Sequence, residues 1–274
     1  MDHFICATCG TQYPASEQPP AECPICLDER QYIGWKGQQW TTPAELRAKH
    51  HTVIKEEEPG LTGIGCEPSF AIGQRAQLVQ TPQGNVLWES LSLVDEPALE
   101  AVRARGGVSA MAVSHPHYYS AMVEWSRALG GAPIYIHEAE RPWVARPDPA
   151  VVFWSGETLA MPGGLTLIRC GGHFEGAQVL HWPAGAGGRG ALLAGDILYV
   201  ASDRRWLSFM YSYPNLIPLN AAAVRRIAAA VAPFAYDRIY TAWFERTMLA
   251  GAREGMARSV ERYLRAITSA PDRA

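Results

Sequence analysis

Val108-Ser-Ala-Met-Ala-Val-Ser114-His115-Pro116-His117-Tyr118-Tyr119-Ser120 is the stretch on which the fold turns. An apolar run over residues 108–114 predicts a strand that ends abruptly at His115. Beyond it, His-x-His on an extended loop places two imidazoles within reach of one ion. Two further loops carry matching chemistry. Gly171-Gly172-His173-Phe174-Glu175-Gly176 follows a predicted strand at 165–170, and Gly195-Asp196 follows one at 191–194. Loops at strand ends are where a rigid scaffold presents functional groups. Two histidines, a third histidine and an aspartate would make a four-ligand site of nitrogen and oxygen donors, which suits a catalytic zinc or iron.

Working outward, short apolar runs alternate with turn signals. Strands are predicted at 76–81 and 85–91, joined at Pro82-Gln-Gly84, and at 133–137, 177–182 and 238–241. Helices are predicted at 44–51, after the Thr42-Pro43 start, and at 97–104, 121–129, 219–231 and 252–267. Glu56-Glu-Glu-Pro-Gly60 reads as a solvated turn. Strands that first pair as neighbours and later alternate with helices imply two packed sheets with helices outside.

Over about residues 60–270 the chain resembles the metallo-β-lactamase-fold superfamily. That family's first loop reads His-x-His-x-Asp-His, followed by a ligand His in a Gly-His turn, an Asp after a strand and a final His after a late strand. His115 and His117 match the first two ligands, His173 the third and Asp196 the fourth. The resemblance implies an α+β, four-layer αββα sandwich. It also implies where this chain departs. Tyr119-Ser120 stands in place of Asp-His, and Trp243 in place of the final His. The first metal site is thus intact while the second keeps only Asp196, so at most one ion, zinc or iron, is expected. Tyr118, Tyr119, His137, Glu175 and Glu245 are candidates to enter the site.

That donor set implies a mononuclear hydrolase of a small-molecule ester, thioester or lactone, with a metal-bound water as nucleophile. The aspartate that would orient or deprotonate the water is missing. A tyrosine, with an ordinary pKa near 10, is a poor base at neutral pH. Tyr118 or Tyr119 is instead expected to donate a hydrogen bond to the oxyanion. The rival reading is a non-catalytic ligand- or partner-binding protein on a degenerate fold.

The N-terminus carries a second constellation, Cys6-Ala-Thr-Cys9-Gly10 and Cys23-Pro24-Ile-Cys26. Each CxxC forms a tight knuckle, and two knuckles supply four soft sulfurs for one tetrahedral ion, zinc or more rarely iron. Over about residues 1–35 the segment resembles a zinc ribbon or rubredoxin-like module. A closed tetrathiolate site leaves no open position, so its expected job is folding and docking. The domains are read as residues 1–40 and 41–274.

The composition bounds the rest. Hydrophobic residues make up 48%, charged residues 19%, and the formal net charge is -3. This is the profile of a globular protein with a sizeable core and no broad attraction to nucleic acid or anionic lipid. The first residues hold no secretory pattern and no run approaches a membrane span, so a cytoplasmic, membrane-free protein with a small-molecule substrate is expected. Cys66 and Cys170 read as buried unreactive thiols, His50-His51 as surface, and His181 as a strand residue. The aromatic loop Trp206, Phe209-Met210-Tyr211-Ser212-Tyr213-Pro214 has two open readings: a pocket wall, or a contact between copies in a homodimer.

Overall fold

In the computed structural model residues 1–268 are described. A seven-stranded sheet runs, in spatial order, Val151–Trp154, Ile134–His137, Ala110–Ala112, Val86–Trp88, Ala76–Val79, Leu61–Glu67 and His51–Glu58. The half that comes first in sequence is antiparallel, and from Val86 onward the strands are parallel. A six-stranded sheet faces it, in the order Thr158–Ala160, Thr166–Arg169, Gln178–Trp182, Ala191–Leu193, Arg238–Tyr240 and Thr247–Met248.

The period-2 alternation of strands divides the core into three layers. Val86, Trp88, Ala110 and Ala112 point between the sheets, where they meet Leu167, Leu180, Leu193 and Tyr240. Their neighbours Leu87 and Met111 point outward. They pack beneath the helices Glu96–Arg103 and Met122–Ala128 through Leu99, Val102, Val123 and Trp125. On the far side Ile168, Val179, Leu192 and Ile239 pack beneath Ala221–Val231 and Ala252–Thr268 through Val224, Ile227 and Met256. Each fully buried large aliphatic side chain contributes about 1.5–3 kcal/mol. The result is the αββα arrangement that the sequence implied.

The acidic segment before Gly60 is a correction. Glu56, Glu57 and Glu58 belong to the edge strand His51–Glu58, which the sequence reading broke into a helix end and a turn; only Pro59-Gly60 turns. Glu56 stays exposed, but Glu57 and Glu58 are covered because they have partners. Arg75, wholly buried, is held by Glu57 at 2.5 Å and donates to the Thr241 carbonyl. Glu58 takes Arg238 at 2.5 Å and the Ala186 amide. The helix before it, Pro43–Lys49, begins as expected, with a Thr42–Glu45 capping box.

The N-terminal module is a three-stranded sheet, Gln12–Ser16, Asp2–Cys6 and Trp40–Thr41, followed in its long loop by the short helix Pro24–Leu27. It is stitched to the sandwich. The Gln12 amide donates to the Ser120 carbonyl at 3.0 Å, and Ser92 Oγ to the Gly10 carbonyl at 2.7 Å. Gly10 has φ +81°, and a Cβ there would stand 2.5 Å from Ser92 Oγ, so only glycine allows both the knuckle and this approach. Among the described residues, no helix is long and apolar enough to cross a membrane.

Candidate metal centres and the cavity above one of them

The four cysteines converge as their spacing requires. All are buried, with sulfur separations of 3.5 Å for Cys6–Cys26 and 3.6 Å for Cys9–Cys23. A tetrahedral ion with metal–sulfur bonds of about 2.3 Å sets its sulfurs about 3.8 Å apart, so the cradle fits. Two side chains donate to sulfur, as thiolate ligands require. Tyr13 Oη reaches Cys23 Sγ at 3.1 Å and Gln38 Nε2 reaches Cys6 Sγ at 3.2 Å.

The second cluster lies between the sheets' loop ends. Side-chain donor atoms of His115, His117, His173 and Asp196 lie within 4.8 Å of one another, and all four residues are buried. His115 Nε2 stands 3.2 Å from Asp196 Oδ1, and His173 Nε2 stands 3.1 Å from His117 Nδ1 and 4.0 Å from Asp196 Oδ2. An ion with bonds of about 2.0–2.1 Å sets such donors about 3.3 Å apart.

Orphaned atoms support the fit. Among the described residues His115 Nε2, His117 Nε2 and Asp196 Oδ1 are buried with no hydrogen-bond partner. Burying unpaired polar atoms is costly, and a cation at the centre of the cluster would satisfy two of these three, the donors His115 Nε2 and Asp196 Oδ1.

Neighbouring groups aim the ligands. His173 Nδ1 donates to the Met210 carbonyl at 3.1 Å, leaving Nε2 as the free donor. Ser114 Oγ bonds His115 Nδ1 at 2.9 Å, and the Ser114 amide donates to Glu89 Oε2 at 3.0 Å. Sequence reasoning missed Glu89, because nothing nearby marks it. Its left-handed backbone, φ +65°, turns the carboxyl inward under the first ligand loop.

Burial sets the charge states. It pushes Asp196 up to about 7 and Glu89 up to about 8, and holds His115 and His117 well below the usual imidazole range, with His173 down to about 4. The imidazoles are therefore neutral, as metal ligands must be.

Other candidates stay outside the cluster. Tyr119 turns away, its hydroxyl 3.5 Å from the Glu140 carbonyl. His137 bonds the Gly156 carbonyl at 3.1 Å, Glu175 pairs with Arg169, and the exposed Glu245 pairs with Lys55 and Arg204. His181 bonds the Ala235 carbonyl. Tyr118 is brought in: wholly buried, its ring lies edge-on to His115 with centroids 4.9 Å apart. Burial and the neighbouring Asp196 raise its pKa, so the hydroxyl stays protonated.

Above the cluster opens a cavity of about 320 Å³, lined by His117, Asp196, Ile72, Tyr213, Pro214, Trp243, Arg30 and Gln31. Trp243 is a wall, its indole N–H donating to the Ile72 carbonyl at 2.9 Å. The aromatic loop is a wall too, with Tyr213 Oη donating to the Asp196 carbonyl at 2.6 Å. Arg30 and Gln31 come from the cysteine module, and sequence reasoning missed both.

No protein-family model matches the chain. It is 50% identical over 271 residues to the "Uncharacterized protein YmaE" of Bacillus subtilis (strain 168), covering 98% of each. The chain belongs to the YmaE family. Solved structures similar to this YmaE-family chain include VMB-1, at TM-score 0.60 and 14% identity, covering 80% of this chain and 99% of that one. The metallo-β-lactamase DIM-1 aligns at TM-score 0.57 and 11% identity, covering 77% and 97%. The metallo-β-lactamase FIM-1 from Pseudomonas aeruginosa, in its mono-zinc form, aligns at 0.56 and 15%, covering 80% and 97%. These likenesses show that the YmaE-family chain has the metallo-β-lactamase fold, and its own geometry adds a four-cysteine cluster near the N-terminus.

Proposed function

We propose that the protein is a metal-dependent hydrolase of a small-molecule ester, thioester or lactone, working at a single ion held by His115, His117, His173 and Asp196. The observation that carries this reading is the buried cluster of convergent donors at the floor of a cavity of ligand size. A zinc held there would lower the pKa of a water to about 7 and polarise a carbonyl. The rest falls to the chain. Ile72, Pro214 and Trp243 hold the apolar part of the substrate and exclude bulk water. Tyr118, protonated throughout the neutral range, is the proposed hydrogen-bond donor toward Asp196 or the developing oxyanion. FIM-1, described in a mono-zinc form, supports one ion as compatible with this fold. The cysteine cluster is proposed to hold structural zinc, with iron as the alternative. Its unbridged thiols fit a cytoplasmic setting.

One observation favours the rival, a non-catalytic binding protein. Asp196 is the sole carboxylate among the described cavity-lining residues, so no second carboxylate stands ready as a base. Both readings meet in one experiment: a hydrolysis screen of esters, thioesters and lactones on zinc-loaded protein, with Tyr118→Phe, Tyr119→Phe and the double variant alongside. The hydrolase reading expects turnover that chelation abolishes, slowed about 10-fold or more by Tyr118→Phe and little by Tyr119→Phe. Turnover of no substrate, with ligand binding retained, would favour the rival.

A further inference from the structure

We propose that the cavity selects a substrate whose group beside the reacting carbonyl is uncharged and apolar, and that Trp243 is the residue that sets this preference. The inference deepens the hydrolase reading and rests on it only for the nature of the reacting group.

The wall holds four amphipathic side chains, and what they show a ligand depends on where their polar atoms go. Trp243 is half-buried, and its one donor, the indole N–H, is spent on the Ile72 carbonyl at 2.9 Å. Tyr213 gives its hydroxyl proton to the Asp196 carbonyl at 2.6 Å. The side-chain oxygen of Gln31 is sealed beneath the surface. Arg30 would attract an anion if its charge were unmatched, but Asp28 holds Nε at 2.5 Å and Nη2 at 2.8 Å, and Nη1 donates to the His173 carbonyl at 3.2 Å. Its guanidinium covers the Phe174 ring, 3.8 Å from the centroid. The side chains of Ile72 and Pro214 add only carbon. At the floor, His117 and Asp196 belong to the donor set that an ion would take.

The wall is also held still. Trp243 is braced by its hydrogen bond on one side and by the Tyr199 ring on another, with centroids 5.4 Å apart. Tyr199 meets Tyr213 at 5.1 Å, so the three rings form one row. Asn215 Nδ2 donates to the carbonyls of Glu29 and Gln31 at 2.8 and 2.9 Å, which pins the loop after the second knuckle against the aromatic loop. A preformed apolar wall binds carbon with little cost of ordering. A carboxylate laid against it loses hydration and meets a guanidinium already matched by Asp28, which is unfavourable. Trp243 is the largest of these side chains and offers the most apolar contact. The substrate that fits has its polarity at the carbonyl and carbon elsewhere.

The test uses a matched pair of probes on the intact, zinc-loaded protein: methyl 3-(4-methylphenyl)propanoate and methyl 3-(4-carboxyphenyl)propanoate. They differ by a methyl against a carboxylate at the end remote from the ester. Calorimetry reads binding, and product formation is read separately. Wild type should bind the methyl probe about 10-fold or more tightly than the carboxylate probe. Trp243→Gln should weaken the methyl probe about 5- to 10-fold and narrow the ratio, with metal content unchanged. Trp243→Phe, which keeps an apolar ring, should retain the preference. If Trp243→Gln fails to fold, the indole N–H resonance of Trp243, assigned by its loss in Trp243→Phe, decides: it should shift on titration with the methyl probe, and an unmoved resonance would refute the role of Trp243. Equal binding, binding of neither probe, a full preference surviving Trp243→Gln, or a carboxylate preference (which would make Arg30 an anion hook) would overturn the proposal. A Trp243-dependent preference with both probes left intact would sink the hydrolase reading and leave this one standing; turnover of both probes with no preference would do the reverse.

Discussion

Arg30 donates from Nη1 to the carbonyl oxygen of His173 at 3.2 Å across 143 positions of sequence, joining the cysteine module to a ligand of the second candidate metal site. The bond ties the loop after the second cysteine knuckle to the backbone of a candidate ligand in the other cluster.

That contact predicts an effect at a distance. Arg30→Met removes the bond and the cover over Phe174 while leaving the cysteines untouched. Zinc affinity at the His/Asp site should fall about 10-fold or more, the usual loss when a group orienting a ligand is removed. Chelator competition measures it. Unchanged affinity would mean that the module merely rests on the sandwich.

Metal binding should depend on pH through Asp196. The carboxyl is pushed up to about 7 and must release its proton to bind a cation, whereas His173, down at about 4, is already neutral. Log affinity should therefore rise with pH by about one proton per ion up to about 7 and then level off. Asp196→Asn should flatten the slope. In metal-free protein the same raised pKa makes the native state hold a proton that the unfolded chain releases. Asp196 then costs stability as pH climbs from about 4 to about 7, opposed by the neutral histidines, which cost stability as pH falls below about 6.5. Isothermal competition across pH 5 to 8 checks the slope.

Tyr13→Phe deletes the only hydroxyl that donates to Cys23 Sγ among the described residues. Metal affinity at the cysteine site should drop about 10-fold with the fold retained, read by competition with a chromophoric chelator. A larger loss with unfolding would assign Tyr13 to the module's core instead.

The Glu57–Arg75 pair should matter for stability alone. Glu57→Ala leaves a wholly buried guanidinium without its carboxylate, at a cost of about 3–5 kcal/mol. Urea unfolding should show that loss with metal content unchanged. A change under 1 kcal/mol would mean that the Thr241 carbonyl suffices for Arg75.

The sequence carried the ligands because their chemistry is local. Cys6/Cys9, Cys23/Cys26 and His115/His117 each bring two donors to one point by spacing alone, and His173 and Asp196 follow glycines at strand ends. What it could not show depends on partners far away in the chain. Glu57 and Glu58 look solvated until Arg75 and Arg238 arrive from elsewhere in the chain. Arg30 and Gln31 look like a polar tail of the second knuckle until the sandwich places His173 and Asn215 against them. Tyr118 ends the 3-10 turn Pro116–Tyr118 and Tyr119 follows it, and no pattern says which one faces the histidines.

The central claim is that His115, His117, His173 and Asp196 bind one ion. Elemental analysis of metal per chain, on wild type and on a His115→Ala/His117→Ala variant, tests it most directly. Two metals per chain should fall to one, with the cysteine site still loaded. One metal per chain in both proteins would contradict it.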